Sequence, residues 1–100
     1  MNYYDPKNVL SPKDAITDLV VILDDGDSSI SLAKMKWYGN NVFGIRWNVG
    51  LREWDNIDKQ NGKICLGVPT SHAKSTWFIL PNDFLDKNSE LWNKIENAMN

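Results

Sequence analysis

The sequence predicts an α+β fold: a curved, mostly antiparallel sheet of about five strands, preceded by a short helical turn and closed by a C-terminal amphipathic helix. Three observations carry this. Large apolar residues recur at every second position from Phe43 to Val49, Gly-containing turns at 24–27 and 38–41 separate strand-like runs, and from Phe84 onward the apolar spacing becomes helical. At 100 residues, 42% hydrophobic and 24% charged, the chain suits one domain around one core.

Ser11-Pro12-Lys13-Asp14 comes first: Ser11 can cap and Pro12 suits the first helical position, so a helical turn is expected there. Residues 17–23 are β-branched and almost continuously apolar, which predicts a strand that is central or covered on both faces. Asp24-Asp25-Gly26-Asp27 supplies the Asp-Gly pair of a hairpin, and residues 29–38 return as a long strand. Ile30 and Leu32 share one face of it while Ala33, Met35 and Trp37 share the other, so a bulge or bend is expected near Leu32. In residues 42–49, Phe43, Ile45, Trp47 and Val49 form the expected core face, leaving Gly44, Arg46 and Asn48 toward solvent or a ligand.

Residues 50–62 turn polar and read as loop. Ile64, Leu66 and Val68 alternate as a short strand, 69–75 is a second loop, and 76–80 is a final strand ended by Pro81. Leu91, Trp92, Ile95, Ala98 and Met99 then recur at helical spacing after Phe84 and Leu85. Asn82 or Ser89 can cap this helix, an interruption falls near Asn88, and the helix is expected to pack on the sheet.

The inventory for catalysis is poor. Cys65 and His72 are the one cysteine and the one histidine; Cys65, between Ile64 and Leu66, reads as inert core. Ser71 beside His72 is a polar loop pair, since adjacent side chains rarely place a base over a nucleophile. Zinc sites need three or four paired ligands that this chain lacks, and Asp24, Asp25 and Asp27 fit a hairpin turn better than a calcium loop. No Walker or dinucleotide glycine string occurs, so no cofactor, no metal and no catalytic residue are assigned. A lone cysteine, no signal-like start and no apolar run near the roughly 20 residues that span a bilayer predict a cytoplasmic protein without a membrane role.

What remains is five tryptophans interleaved with cations. Trp47, Trp77 and Trp92 read as core filling, whereas Trp37 beside a turn and Trp54 in a polar segment are freer. Lys34, Lys36, Arg46 and Arg52 lie between them, and aromatics beside cations on a sheet can stack bases and hold phosphates. The residues expected to bind are therefore Lys34, Lys36, Trp37, Arg46, Arg52 and Trp54. The ligand expected is single-stranded DNA or RNA; the alternative is a protein partner of a small inhibitor or immunity-type domain, which the net charge of −2 favours.

The string Asn41-Val42-Phe43-Gly44-Ile45-Arg46-Trp47, followed by a loop, the strand Trp77-Phe78-Ile79-Leu80-Pro81 and the helix through Leu91-Trp92-Asn93-Lys94-Ile95, resembles the positive-cofactor-four type of single-stranded-DNA-binding domain. The resemblance spans roughly positions 29 to 96 and implies a homodimer joined through helices, with curved sheets that bind unpaired strands. Residue by residue, only Arg46 and the aromatic Trp47 carry over. The loop between the last strands is longer here, and the basic surplus is missing. Gly67-Val68-Pro69-Thr70-Ser71 with the strand at 76–81 is also similar to small bacterial proteins of unassigned function.

Overall fold

The computed structural model describes residues 1–100. Its main element is a four-stranded antiparallel sheet built from β1 (Ile16–Asp24), β2 (Ile30–Trp37), β3 (Asn40–Trp47) and β6 (Phe78–Ile79), in the order β1-β2-β3-β6. A separate hairpin pairs β4 (Thr70–Ser71) with β5 (Lys74–Ser75). Two helices complete the fold, the single turn α1 (Ile57–Gln60) between β3 and β4 and the C-terminal α2 (Glu90–Met99) after β6. The α+β class, the antiparallel sheet and the C-terminal helix are as the sequence predicts, with six strands in two sheets in place of about five in one.

The long β2–β3 pairing runs without a register break from Ile30↔Trp47 to Trp37↔Asn40. Its loop is the dipeptide Tyr38-Gly39, both residues left-handed (φ 48° and 83°), as a two-residue turn that matches strand twist requires. The expected irregularity lies on the neighbouring strand: β1 slips against β2 between Thr17 and Val20 and again between Val21 and Leu23, and Asp18 is left-handed at φ 54°. Leu32 sits opposite the second slip, but β2 itself is regular.

Several other expectations are corrected. The apolar run in β1 is an edge strand, with most of its side chains exposed, because β2 is its only sheet neighbour. The first helical turn is Pro6–Asn8, whose cap is the Asp5 carboxylate accepting the Lys7 N–H; residues 12–15 form a non-helical turn in which Pro12 O accepts from Ala15 and Ile16. Within the segment read as loop lie a 3-10 turn, Leu51–Asp55, and α1, both too short to show a period. Ile64, Leu66 and Val68 make no strand, only isolated bridges at Tyr3↔Cys65 and Trp47↔Val68. Ser89 does cap α2, its hydroxyl accepting the Trp92 N–H, and the chain is broken just before it between the 3-10 turn Asn82–Leu85 and α2. That helix packs against the 3-10 turn rather than across the sheet.

The core is small: Val9, Ala15, Ile16, Ala33, Met35 and Trp77 cluster under one face of the sheet, with Leu19, Trp37, Val42 and Ile79 at its margin. Trp77 anchors it, donating its indole N–H to Val9 O at 2.7 Å so that burial strands no polar group. Only 18 of 100 residues are buried, and the Cα radius of gyration is 15.1 Å where about 13 Å is usual for this length. Much apolar surface is therefore left outside.

Candidate docking surface

Directly opposed residues of an antiparallel pair point to the same side, so the register assigns every side chain to a face. Ser31, Ala33, Met35 and Trp37 of β2 and Val42, Gly44 and Arg46 of β3 point inward, with Asn48 following just after β3. This inverts the expectation for β3: Arg46 is 4% exposed and Asn48 2%, whereas Trp47 is 54% exposed.

The physical reason is what covers the inner face. No regular layer lies there; irregular segments around Val9, Cys65 and Thr76 do, and their carbonyls need donors. Arg46 supplies them, its guanidinium donating to Thr76 O and Leu66 O and lying 5.9 Å from the Trp77 ring centroid. Burial pushes its pKa down to about 10, with Glu53 opposing the shift, so it stays charged at neutral pH. Asn48 donates to Gly26 O (2.8 Å) and accepts from Ser31 Oγ (2.6 Å), which ties the first hairpin turn to β3. Gly44 leaves room for the core: a Cβ there would sit 2.6 Å from Met35 Cε and 3.1 Å from Trp77 Cβ.

Glu53 fastens the same layer from its other side. Its carboxylate accepts from the N–H groups of Gly50, Leu66 and Gly67 at 2.7–2.8 Å and from Lys59 Nζ at 2.7 Å. Burial alone would raise its pKa, but the Lys59 ammonium and the three N–H donors outweigh this and hold it below the ordinary carboxylate range. Leu66 is thus gripped by Arg46 at its carbonyl and by Glu53 at its amide.

The outer face is the opposite in chemistry. Across it runs the row Leu23, Leu32, Ile45, Phe78, each directly opposed to the next in register. Beside it lie Val20, Lys34 and Phe43, and at one end Ile30 faces Trp47. Val20 is 60% exposed and Phe78 57%, and none of these side chains is fully buried. An apolar expanse of this kind on a sheet is unusual for a face meant to meet water.

Beyond Trp47 the surface dips into a groove of about 480 Å³ lined by Trp47, Leu51, Trp54 and Val68, with Asp27 and Ser28 at its polar side. Arg52 lies on the adjoining groove that shares Gly50, Leu51 and Val68.

The six residues expected to bind do not form one site. Lys34 and Lys36 are exposed on the outer face, Lys36 paired with Asp18 at 3.6 Å and Lys34 without an ion pair. Arg52 and Trp54 belong to the 3-10 turn Leu51–Asp55, both exposed. Trp37 is half-buried at the margin of the core, edge-on to Tyr38 at 5.4 Å. Arg46 is committed to carbonyls and reaches no surface. The outer-face apolar residues not among the six are Trp47, Phe43 and Ile45, expected in the core, and Phe78 of the last strand. Their alternation was visible, but alternation does not say which face lies inside.

Among the groups weighed for chemistry, Cys65 is fully buried and desolvation pushes its thiol up, away from thiolate reactivity. His72 is exposed at the tip of the β4–β5 hairpin. No helix is long and apolar enough to cross a membrane.

Comparison with protein-family models, curated proteins and solved structures returns no match.

Proposed function

We propose that the chain is a non-enzymatic protein-interaction module whose outer sheet face receives a polypeptide. The observation that carries this reading is the apolar row Leu23, Leu32, Ile45, Phe78, exposed at both ends and half-buried at Leu32 and Ile45, flanked by Val20, Phe43 and Trp47. Interface centres are depleted in charge and enriched in aromatics, with polar groups at the rim; here Lys34, Lys36, Thr17 and Asn41 occupy the end of the face away from Trp47. The test is affinity capture from cells with wild type and with Ile45→Asp. A specific protein held by the wild type and lost by a folded Ile45→Asp chain supports the reading; identical capture by both sinks it.

Single-stranded nucleic acid is the second reading, favoured by Lys34 lying directly opposite Phe43 on the same face. It ranks lower because Arg46 is withdrawn from the surface, Lys36 is shared with Asp18, and the net charge is −2. Anisotropy of labelled single-stranded DNA and RNA distinguishes it: salt-sensitive binding abolished by Lys34→Ala/Lys36→Ala would move nucleic acid to the front.

A further inference from the structure

We infer that the cleft between the N-terminal segment, residues 4–14, and the β4–β5 hairpin is a binding site for a small organic phosphate ester. The cleft shares no residue with the apolar row of the outer sheet face, so the inference goes beyond the docking reading and does not depend on it.

The cleft encloses about 710 Å³, within the roughly 300–1,000 Å³ of small-molecule sites. Lys13 belongs to one wall and His72 and Lys74 to the other, so basic side chains line both. Asp14 is the one carboxylate in the lining, and neither lysine forms an ion pair with it or with any other acid. In a chain of net charge −2 this is a local excess of positive charge inside a concave surface. The hydroxyls of Tyr4, Ser11 and Ser71 add neutral donors. Ser75 is not among them, because its Oγ donates to Leu66 O at 2.6 Å.

This donor set selects the ligand. A carboxylate brings one charge and two oxygens, whereas a phosphate monoester brings about −1.5 to −2 at neutral pH and three strong acceptor oxygens, which two ammonium groups, an imidazole and hydroxyls can share. The lining also includes Leu10, which is 43% exposed, and Pro12, and these give an apolar body somewhere to lie. An ester with an apolar body therefore uses more of the cleft than inorganic phosphate does.

Both walls are anchored without a ligand. Val9 lies in the core and its carbonyl accepts the Trp77 indole N–H at 2.7 Å, while Trp77 follows β5 after the single residue Thr76. Thr76 N–H donates to Pro69 O at 3.1 Å and closes the base of the hairpin. At its tip His72 and Ala73 are both left-handed, φ 51° and 61°, in a two-residue turn that Asn-Gly would form with less strain. The less favourable turn places an imidazole at the cleft, and strain kept at a ligand-facing residue accords with a binding role.

The experiment is isothermal titration calorimetry of the full chain at low salt with phenyl phosphate, inorganic phosphate and benzoate. Phenyl phosphate is expected to bind saturably at one site, with the other two at least about tenfold weaker, since each lacks either the apolar body or the second charge. Lys13→Ala/Lys74→Ala should weaken phenyl phosphate by at least about tenfold through loss of two charged donors, and His72→Asn, which suits the turn, should weaken it less. All three replaced side chains are exposed, so the urea midpoint is expected to hold; Lys74→Gln stands in if the double variant misfolds. Lys34→Ala/Lys36→Ala on the outer face should bind phenyl phosphate like the wild type. No saturable binding at millimolar phenyl phosphate, or equal affinity in the wild type and Lys13→Ala/Lys74→Ala, overturns the site. Benzoate bound as tightly as phenyl phosphate overturns the phosphate assignment, and inorganic phosphate bound as tightly overturns the organic body. The Ile45→Asp capture is untouched by any of these results and decides the docking face separately.

Discussion

The inner and outer faces of the sheet are made by alternate residues of the same strands, yet they obey opposite rules. On the inner side Ser31, Gly44, Arg46 and Asn48 are buried although three of them are polar; on the outer side Trp47 is exposed and Leu32, Phe43 and Ile45 are only half-buried although all are apolar. What lies against each face makes the difference. A layer of irregular backbone brings carbonyls that must be satisfied, and polar side chains under it are well used. A bare face brings no such demand and can be as apolar as a future contact requires.

That contrast is most directly broken at Arg46. Arg46→Ala is expected to cost about 4 kcal/mol in urea unfolding, because two buried carbonyls lose charge-assisted donors and a cavity opens beside Trp77. Glu53→Gln should cost about 2 kcal/mol at neutral pH by unpairing Lys59 and weakening the grip on Leu66 and Gly67. The same variant sharpens the comparison through pH. A carboxyl held low in the folded state contributes stability that is complete above about pH 4.3 and is lost as the pH falls through the lower folded value, so Glu53→Gln should flatten the acid limb of a stability–pH curve. Gly44→Ala is expected to cost about 1–2 kcal/mol, the flexible end of Met35 absorbing part of the overlap. Smallest of all, Val20→Thr on the outer face should leave unfolding unchanged within about 0.5 kcal/mol. A large loss there would mean that the outer face is structural in the single chain.

The turns and the periodicity were legible in the sequence: Tyr38-Gly39 does close the β2–β3 hairpin, and Ser89 does cap α2. The choice of face was not, because Phe43, Ile45 and Trp47 look identical as core and as contact surface. Nor was the placement of residues 17–23. Their apolar run suggests a central strand, but sheet order is set by long-range pairing, and β6 takes the position beside β3 with only two residues. Of the residues expected to bind, Lys34 and Lys36 share the outer face, whereas Arg46 lies within the protein because Leu66 and Thr76 carbonyls arrive from far along the chain.

The two slips in β1 bear on how its free edge can meet another strand. An exposed edge carrying Leu19-Val20-Val21-Ile22-Leu23 has the composition of an amyloid-forming segment, and a straight edge of that kind would template strand addition along its whole length. The extra residues near Asp18 and Ile22 interrupt the ladder at intervals of a few residues, so an incoming strand finds no long run of evenly spaced donors and acceptors. The edge is thereby a poor template for an added strand.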